Sequence, residues 1–187
     1  MLRARRRLHL RSFDYASPGA YFVTVCTQGR VGLLGGVIEG SMRPSAAGRM
    51  VEDTWCRLPA FYAGIDVDAF VVMPNHLHGV VLVGAPPCGR PAAGRARGPA
   101  PTLLSLFDVM HRFKTLTTRT YLSGVRQLGW PSFNNRLWQR GYYERVVRDA
   151  DELMRIRQYI EENPARWLDD AENPLRPVTP QTMPWDT

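Results

Sequence analysis

The stretch from Ile65 to Val83 constrains this chain more than any other. It is rich in β-branched and apolar residues, breaks once at Pro74-Asn75, and resumes with His76-Leu77-His78. The two halves, Ile65 to Met73 and His76 to Val83, read as adjacent strands joined by a turn. On a strand, residues i and i+2 point to the same face, so His76 and His78 converge on one point. Two imidazoles so placed can hold a metal. The chain has four histidines, so an H-x-H pair is expected by chance only about 0.1 times, which makes the pair informative.

The flanking sequence supplies the elements such a hairpin needs to pack against. Tyr21 to Thr27 has strand composition, and Leu33 to Glu39 adds a short strand between Gly-rich turns. Met50, Val51, Trp55 and Leu58 recur at helical spacing from Ala46 to about Leu58. Leu103 to Tyr121 marks a long second helix that carries Lys114, and Leu137 to Val147 contains a last strand or hairpin around Gly141. The final helix has the clearest ends. Asp149 and Glu152 fit a capping box, and Pro164 disfavours helix at Asn163. Leu153, Ile156 and Ile160 form its buried stripe, with Tyr159 at the edge. Strand, helix, strand, strand, helix, strand, helix is the order of an α+β fold with helices on an antiparallel sheet.

Charge narrows the choice of partner. The formal net charge is +7 and the pI about 9.8, a balance that suits a polyanion such as nucleic acid. Of the 24 cationic side chains one is a lysine, Lys114, and the rest are arginines, which suit bidentate phosphate and base contacts. Arg3 to Arg11 reads as a basic arm (1–12) with Arg5, Arg6 and Arg7 as DNA contacts, and 85–101 as a flexible Pro/Gly/Arg-rich loop. Cys26, Cys56 and Cys88 lack C-x-x-C spacing, so a reducing compartment is expected and a zinc cluster is not. No apolar run is long enough to span a bilayer, and no signal-peptide core follows the basic start, so the expectation is a soluble, intracellular protein. We expect a single domain over 1–187, with an irregular tail from 168 to 187.

Tyr159 and Asn163 stand four residues apart and share one face of the last helix. If that helix crosses the histidine strand, a phenol oxygen and an amide oxygen approach the imidazoles together. Asn163 is then a third ligand, and the helix C-terminus favours a cation nearby. A phenol with a pKa near 10 is a poor nucleophile, so it needs an activated electrophile, which a divalent ion on a phosphate provides. Imidazoles suit Mn²⁺ better than Mg²⁺, although cells supply more Mg²⁺. Glu162 is a fallback ligand, and Tyr142 and Tyr143 are the rival nucleophiles. Trp138 and Arg140 are candidates to stack on or contact unpaired bases, with the core at least as good a reading for Trp138, and Lys114 is a candidate to reach a phosphate or, equally, a solvated helix residue.

These residues resemble the single-tyrosine HUH transposases, and within them the REP-associated tyrosine transposases. The resemblance runs through Gly19 to Gln28, Ala47 to Glu52, Phe70 to Gly79, Phe113-Lys114-Thr115, Trp138 to Glu144 and Tyr159-Ile-Glu-Glu-Asn-Pro164. It implies the HUH endonuclease fold, a ferredoxin-like antiparallel sheet with helices packed mainly on one face. It also implies His76 and His78 as metal ligands, Tyr159 as nucleophile, and Asn163 as a ligand by analogy with related enzymes. The implied activity is cleavage and rejoining of single-stranded DNA at hairpin repeats through a 5′-phosphotyrosine, without ATP. The expected setting is the bacterial cytoplasm and nucleoid, with the protein a monomer or homodimer. Two rivals stand beside this reading. A histidine-triad nucleotide hydrolase needs a third histidine where this chain has Val80. A domesticated hairpin-binding protein would bind such DNA without cutting it.

Overall fold

The computed structural model describes residues 15–84 and 104–176. The basic arm with Arg5, Arg6 and Arg7 and the loop 85–101 lie outside them. In chain order the elements are β1 (Gly19–Cys26), β2 (Gly35–Ile38), β3 (Ser41–Pro44), α1 (Ala46–Cys56), α2 (Leu58–Phe61), β4 (Ile65–Met73) and β5 (His76–Val83). They are followed by α3 (Leu106–Leu128), β6 (Tyr143–Val147) and α4 (Ala150–Glu162).

Four strands form one antiparallel sheet in the order β4-β5-β1-β6. Without the small β2-β3 hairpin and the single turn of α2, the chain reads β1-α1-β4-β5-α3-β6. That is the ferredoxin-like split βαβ arrangement, and the fold is α+β as the element order implied. The histidine strand β5 is central, paired to β4 on one edge and β1 on the other, with His76 opposite Cys26 and His78 opposite Thr24.

Alternation along these strands divides the side chains between two faces. Tyr21, Val23 and Val25 of β1 and Leu77 and Val81 of β5 join Val51 and Trp55 of α1 and Met110, Phe113 and Tyr121 of α3 in the main core. Trp55 and Phe113 meet edge to face, with ring centroids 5.2 Å apart. A glycine is required at position 79, because an added Cβ would lie 2.5 Å from a Trp55 ring carbon. The opposite face carries α4. There Phe22 and Val80 meet Ile156, Tyr159 and Ile160 in a separate, smaller cluster. The helices thus lie mainly on one face, with α4 alone across from α1 and α3.

The ends of several elements differ from expectation for local reasons. The first helix stops at Cys56, and the chain restarts as α2 with Pro59 in its first turn. The expected strand from Leu33 to Glu39 is β2, and its partner β3 was not anticipated because Ser41-Met-Arg-Pro44 has no alternating pattern. α3 begins three residues later than read, behind a Ser105/Asp108 capping box, and runs on to a left-handed Gly129 at φ 67°. α4 starts as expected, Asp149 accepting the Glu152 N–H at 2.7 Å. The reciprocal half differs: Glu152 accepts the N–H of Arg148, one residue before the cap, at 2.8 Å. Its other oxygen accepts from Arg145 of β6 at 2.6 Å.

Candidate metal centre and tyrosine

β5 and α4 bring His76, His78, Tyr159 and Asn163 to one side of the sheet, all four buried. The period of two puts both imidazoles on the α4 face, and the i, i+4 spacing does the same for the phenol and the amide. The His76 and His78 Nε2 atoms lie 3.0 Å apart. The Tyr159 hydroxyl is 3.3 Å from His78 Nε2. Phe22, from β1, packs against both His78 and Tyr159 and forms the floor beneath them.

A carboxylate enters from the segment after α4. Asp170 is 1% exposed, and its Oδ2 lies 3.9 Å from His76 Nε2 and 3.8 Å from His78 Nε2. These distances are too long for hydrogen bonds, and among the described residues that oxygen has no hydrogen-bond partner. The Asn163 amide oxygen is likewise buried without one. Two orphaned acceptors beside two imidazoles are costly in a protein interior unless something positive satisfies them. Two imidazoles and a carboxylate are also a borderline-to-hard donor set that suits a divalent first-row ion. The residues present therefore fit a metal, and His76, His78 and Asp170 form a buried group that could hold one.

The electrostatics follow from burial and proximity. Burial, and then the neighbouring His78, keep the His76 imidazole well below its ordinary range, hence neutral and ready to ligate. Burial alone would raise the Asp170 carboxyl, but His78 and His76 together hold it down at about 2. For Tyr159, burial first and the Asp170 charge second push the phenol well above 10, while a hydrogen bond from Asn163 pulls it back. The phenol is thus hard to ionise chiefly because it is buried, and the Asp170 charge adds to that. Asn163, read from the sequence as a ligand, has its side-chain amide hydrogen-bonded to Tyr159.

Sequence reasoning missed Asp170. It lies beyond the last periodic element, in what was read as an irregular tail, and that stretch is irregular: a single 3-10 turn, Trp167–Asp169, then bends and turns. Yet it is tied down. Glu172 pairs with Arg30 at 2.7 Å and accepts the Cys26 thiol proton at 3.2 Å, and its backbone carbonyl accepts from Asn75 at 2.8 Å. Trp167 lies against His76, with ring centroids 6.0 Å apart.

The other candidates sit elsewhere. Lys114 directs its ammonium at three successive carbonyls, those of Gln139, Arg140 and Gly141, at 2.8–3.1 Å. It is half-buried, and burial lowers it to about 8. Trp138 is buried in the main core and donates its indole N–H to Thr117. Arg140 is exposed on the loop that Lys114 organises. Tyr142 and Tyr143 lie in and just before β6, and Tyr143 touches Phe22 at the site's edge. Glu162 pairs with Arg166 at 2.6 Å on the surface.

No protein-family model matches the chain. An uncharacterized protein of Haemophilus influenzae is 32% identical over 177 residues, covering 89% of this chain and 91% of that one. Among solved structures, one of a REP-associated tyrosine transposase bound to a REP hairpin shares 17% identity, covers 89% of this chain and 74% of that one, and gives a TM-score of 0.47. Another, from Deinococcus radiodurans, shares 18%, covers 82% and 95%, and gives 0.45. Among the described residues no helix is long and apolar enough to cross a membrane.

Proposed function

This chain belongs to one family with the Haemophilus influenzae protein, and from the chemistry of its buried site we propose that it is a metal-dependent single-stranded DNA endonuclease and transposase of the REP-associated tyrosine class. The observation that carries the reading is the phenol oxygen of Tyr159, 3.3 Å from the Nε2 of His78 inside a buried His-His-Asp group. A nucleophile, a candidate metal centre and a chain with net charge +7 meet the needs of phosphodiester transesterification.

In this reading His76, His78 and Asp170 hold Mn²⁺ or Mg²⁺, with Asn163 as a further oxygen donor or as the partner that orients the phenol. When bound, the ion supplies Lewis-acid withdrawal of charge from a non-bridging oxygen of the scissile phosphate. Tyr159 attacks that phosphorus. A bond from the phenol oxygen to phosphorus forms, the bond to the 3′ oxygen breaks, and a 5′-phosphotyrosine and a free 3′-hydroxyl result. The hydroxyl can later attack the phosphotyrosine to rejoin strands, so the bond energy is conserved. The phenol must lose its proton along the way, which burial first and the Asp170 charge second oppose and the hydrogen bond from Asn163 eases. Phe22 and Trp167 wall the site and fix the rings in place. Exposed arginines, Arg140 among them, and the basic arm with Arg5, Arg6 and Arg7 supply phosphate affinity. The chain acts as one domain, on hairpin or single-stranded DNA.

Incubation with labelled hairpin oligonucleotides and Mn²⁺ or Mg²⁺ tests this. An adduct that survives denaturation is expected, and an adduct that persists in Tyr159→Phe overturns the assignment. The buried position of Tyr159, 6% exposed, favours a second reading, a hairpin-binding protein without cleavage. Tight binding with no adduct in either metal would establish it.

A further inference from the structure

Asn75 is 1% exposed and its side-chain amide makes three contacts. Nδ2 lies 3.1 Å from the carbonyl of Arg30 and 2.8 Å from the carbonyl of Glu172. Oδ1 lies 2.8 Å from His76 Nδ1. Two carbonyls can only accept, so they determine which end of the amide is nitrogen. The end facing His76 is then an oxygen, and an oxygen without protons requires a donor. His76 Nδ1 must therefore carry the ring proton, and its Nε2 presents a lone pair to His78 and Asp170. The same amide that settles the tautomer is bonded to the segment that delivers Asp170, two residues before Glu172.

We propose that Asn75 is a positioning residue of the metal centre: it commits His76 to the Nε2-ligating tautomer and ties that imidazole to the chain segment bearing Asp170. The contrast with His78 supports a specific role for the amide. There the Nδ1 partner is the Thr24 hydroxyl at 2.8 Å, which donates or accepts equally well, so nothing on the Nδ1 side of His78 fixes its tautomer. Of the two imidazoles only His76 is locked at Nδ1 by a group that can only accept, and the lock also anchors the segment bearing the acidic ligand, Asp170. Outer partners of this kind govern ligand orientation and metal affinity. The inference rests on the metal-site reading for its consequence. The tautomer itself is a property of the metal-free protein.

The test is a long-range proton–nitrogen correlation spectrum of imidazole-labelled, metal-free protein, together with direct Mn²⁺ titration by calorimetry. Wild type is expected to show His76 protonated at Nδ1 and unprotonated at Nε2. In Asn75→Leu the ring loses its acceptor, the proton redistributes between the nitrogens, and Mn²⁺ affinity falls about 10- to 100-fold. In Asn75→Asp the acceptor survives, so the proton stays on Nδ1, but the two carbonyls lose their donor. Cleavage by added protease within 165–176 then accelerates and Mn²⁺ affinity still drops. A wild-type ring protonated at Nε2 overturns the proposal, and needs no variant. So does a folded Asn75→Leu with unchanged tautomer and affinity, or an Asn75→Asp with wild-type protease resistance. If wild type binds no Mn²⁺ but shows the expected tautomer, the metal-site reading fails and the lock stands.

Discussion

The two faces of the sheet are built on different principles. Toward α1 and α3, large rings and aliphatic side chains fill the space: Trp55, Phe113, Tyr121, Leu77 and Met110 are fully buried. Toward α4, five buried residues make up the apolar cluster, one of them Tyr159 itself. What the second face lacks in apolar contact it gains in polar fasteners. Glu152 binds Arg145 and the Arg148 N–H at the start of α4, and Arg157 grips Asp68 of β4 with two bonds, at 2.8 and 2.6 Å. The difference teaches that one face supplies stability through close-packed, non-directional contact, and the other supplies geometry, held by groups whose angles and distances matter.

The comparison breaks most sharply in the core. Trp55→Ala should cost about 3–5 kcal/mol, seen as a denaturation midpoint shifted by roughly 2–4 °C per kcal/mol. A loss confined to activity, with the midpoint unmoved, would contradict the division. Next comes the opposite experiment, His78→Ala. It should weaken Mn²⁺ binding by at least about 100-fold, equivalent to about 2.7 kcal/mol, and abolish the covalent adduct while DNA affinity, supplied by arginines, largely persists. Calorimetry and gel-shift assays read the two separately. Glu152→Ala removes the carboxylate that accepts from Arg145 and from the Arg148 N–H and should cost about 1.5–3 kcal/mol. Hydrogen exchange should show that loss concentrated in α4, and uniform loss across the sheet would argue that the helix is not a separable unit.

The smallest effect tests the surface fastener. The hydrogen bond from Arg157 depresses the Asp68 carboxyl below 3.8 in the folded protein. A depressed carboxyl contributes stability above its unfolded value and loses it as pH falls through its folded value. The stability gap between wild type and Asp68→Asn should therefore be full at neutral pH and close below about pH 3.8. Pairing this exposed is worth little, and salt should shrink the gap further. Melting curves at pH 7 and pH 3, with and without salt, would show whether α4 is pinned by this pair.

Much of this was legible in the sequence because it is periodic. Alternation in 65–83 placed both imidazoles on one face, and Asp149, Glu152 and Pro164 marked the ends of the helix that carries Tyr159 and Asn163. What escaped has no period. Asp170 lies among Asp, Asn and Pro residues that promise only a turn, and its segment is held through Glu172 by Arg30 and Asn75, which precede Asp170 by 140 and 95 positions. Lys114 read equally as a phosphate contact or as a solvated helix residue, because spacing on a helix does not say what faces it. Here the loop 139–141 offers it three carbonyls instead. Trp138 looked equally suited to stacking on a base or to the core, and only the partner Thr117 distinguishes the two.

The central place of β5 has a further consequence for how this protein tolerates change. Its register is pinned on both edges, and its faces are not interchangeable: imidazoles toward α4, Gly79 and Leu77 toward Trp55 and the core. Removing one residue between Asn75 and Val80 would rotate the strand's remaining side chains to the other side. That would press an imidazole against the tryptophan and hand α4 an aliphatic surface. A substitution alters one position of β5 and a change in length alters every position beyond it, so lineages descended from this chain can vary the strand residue by residue but almost never in length.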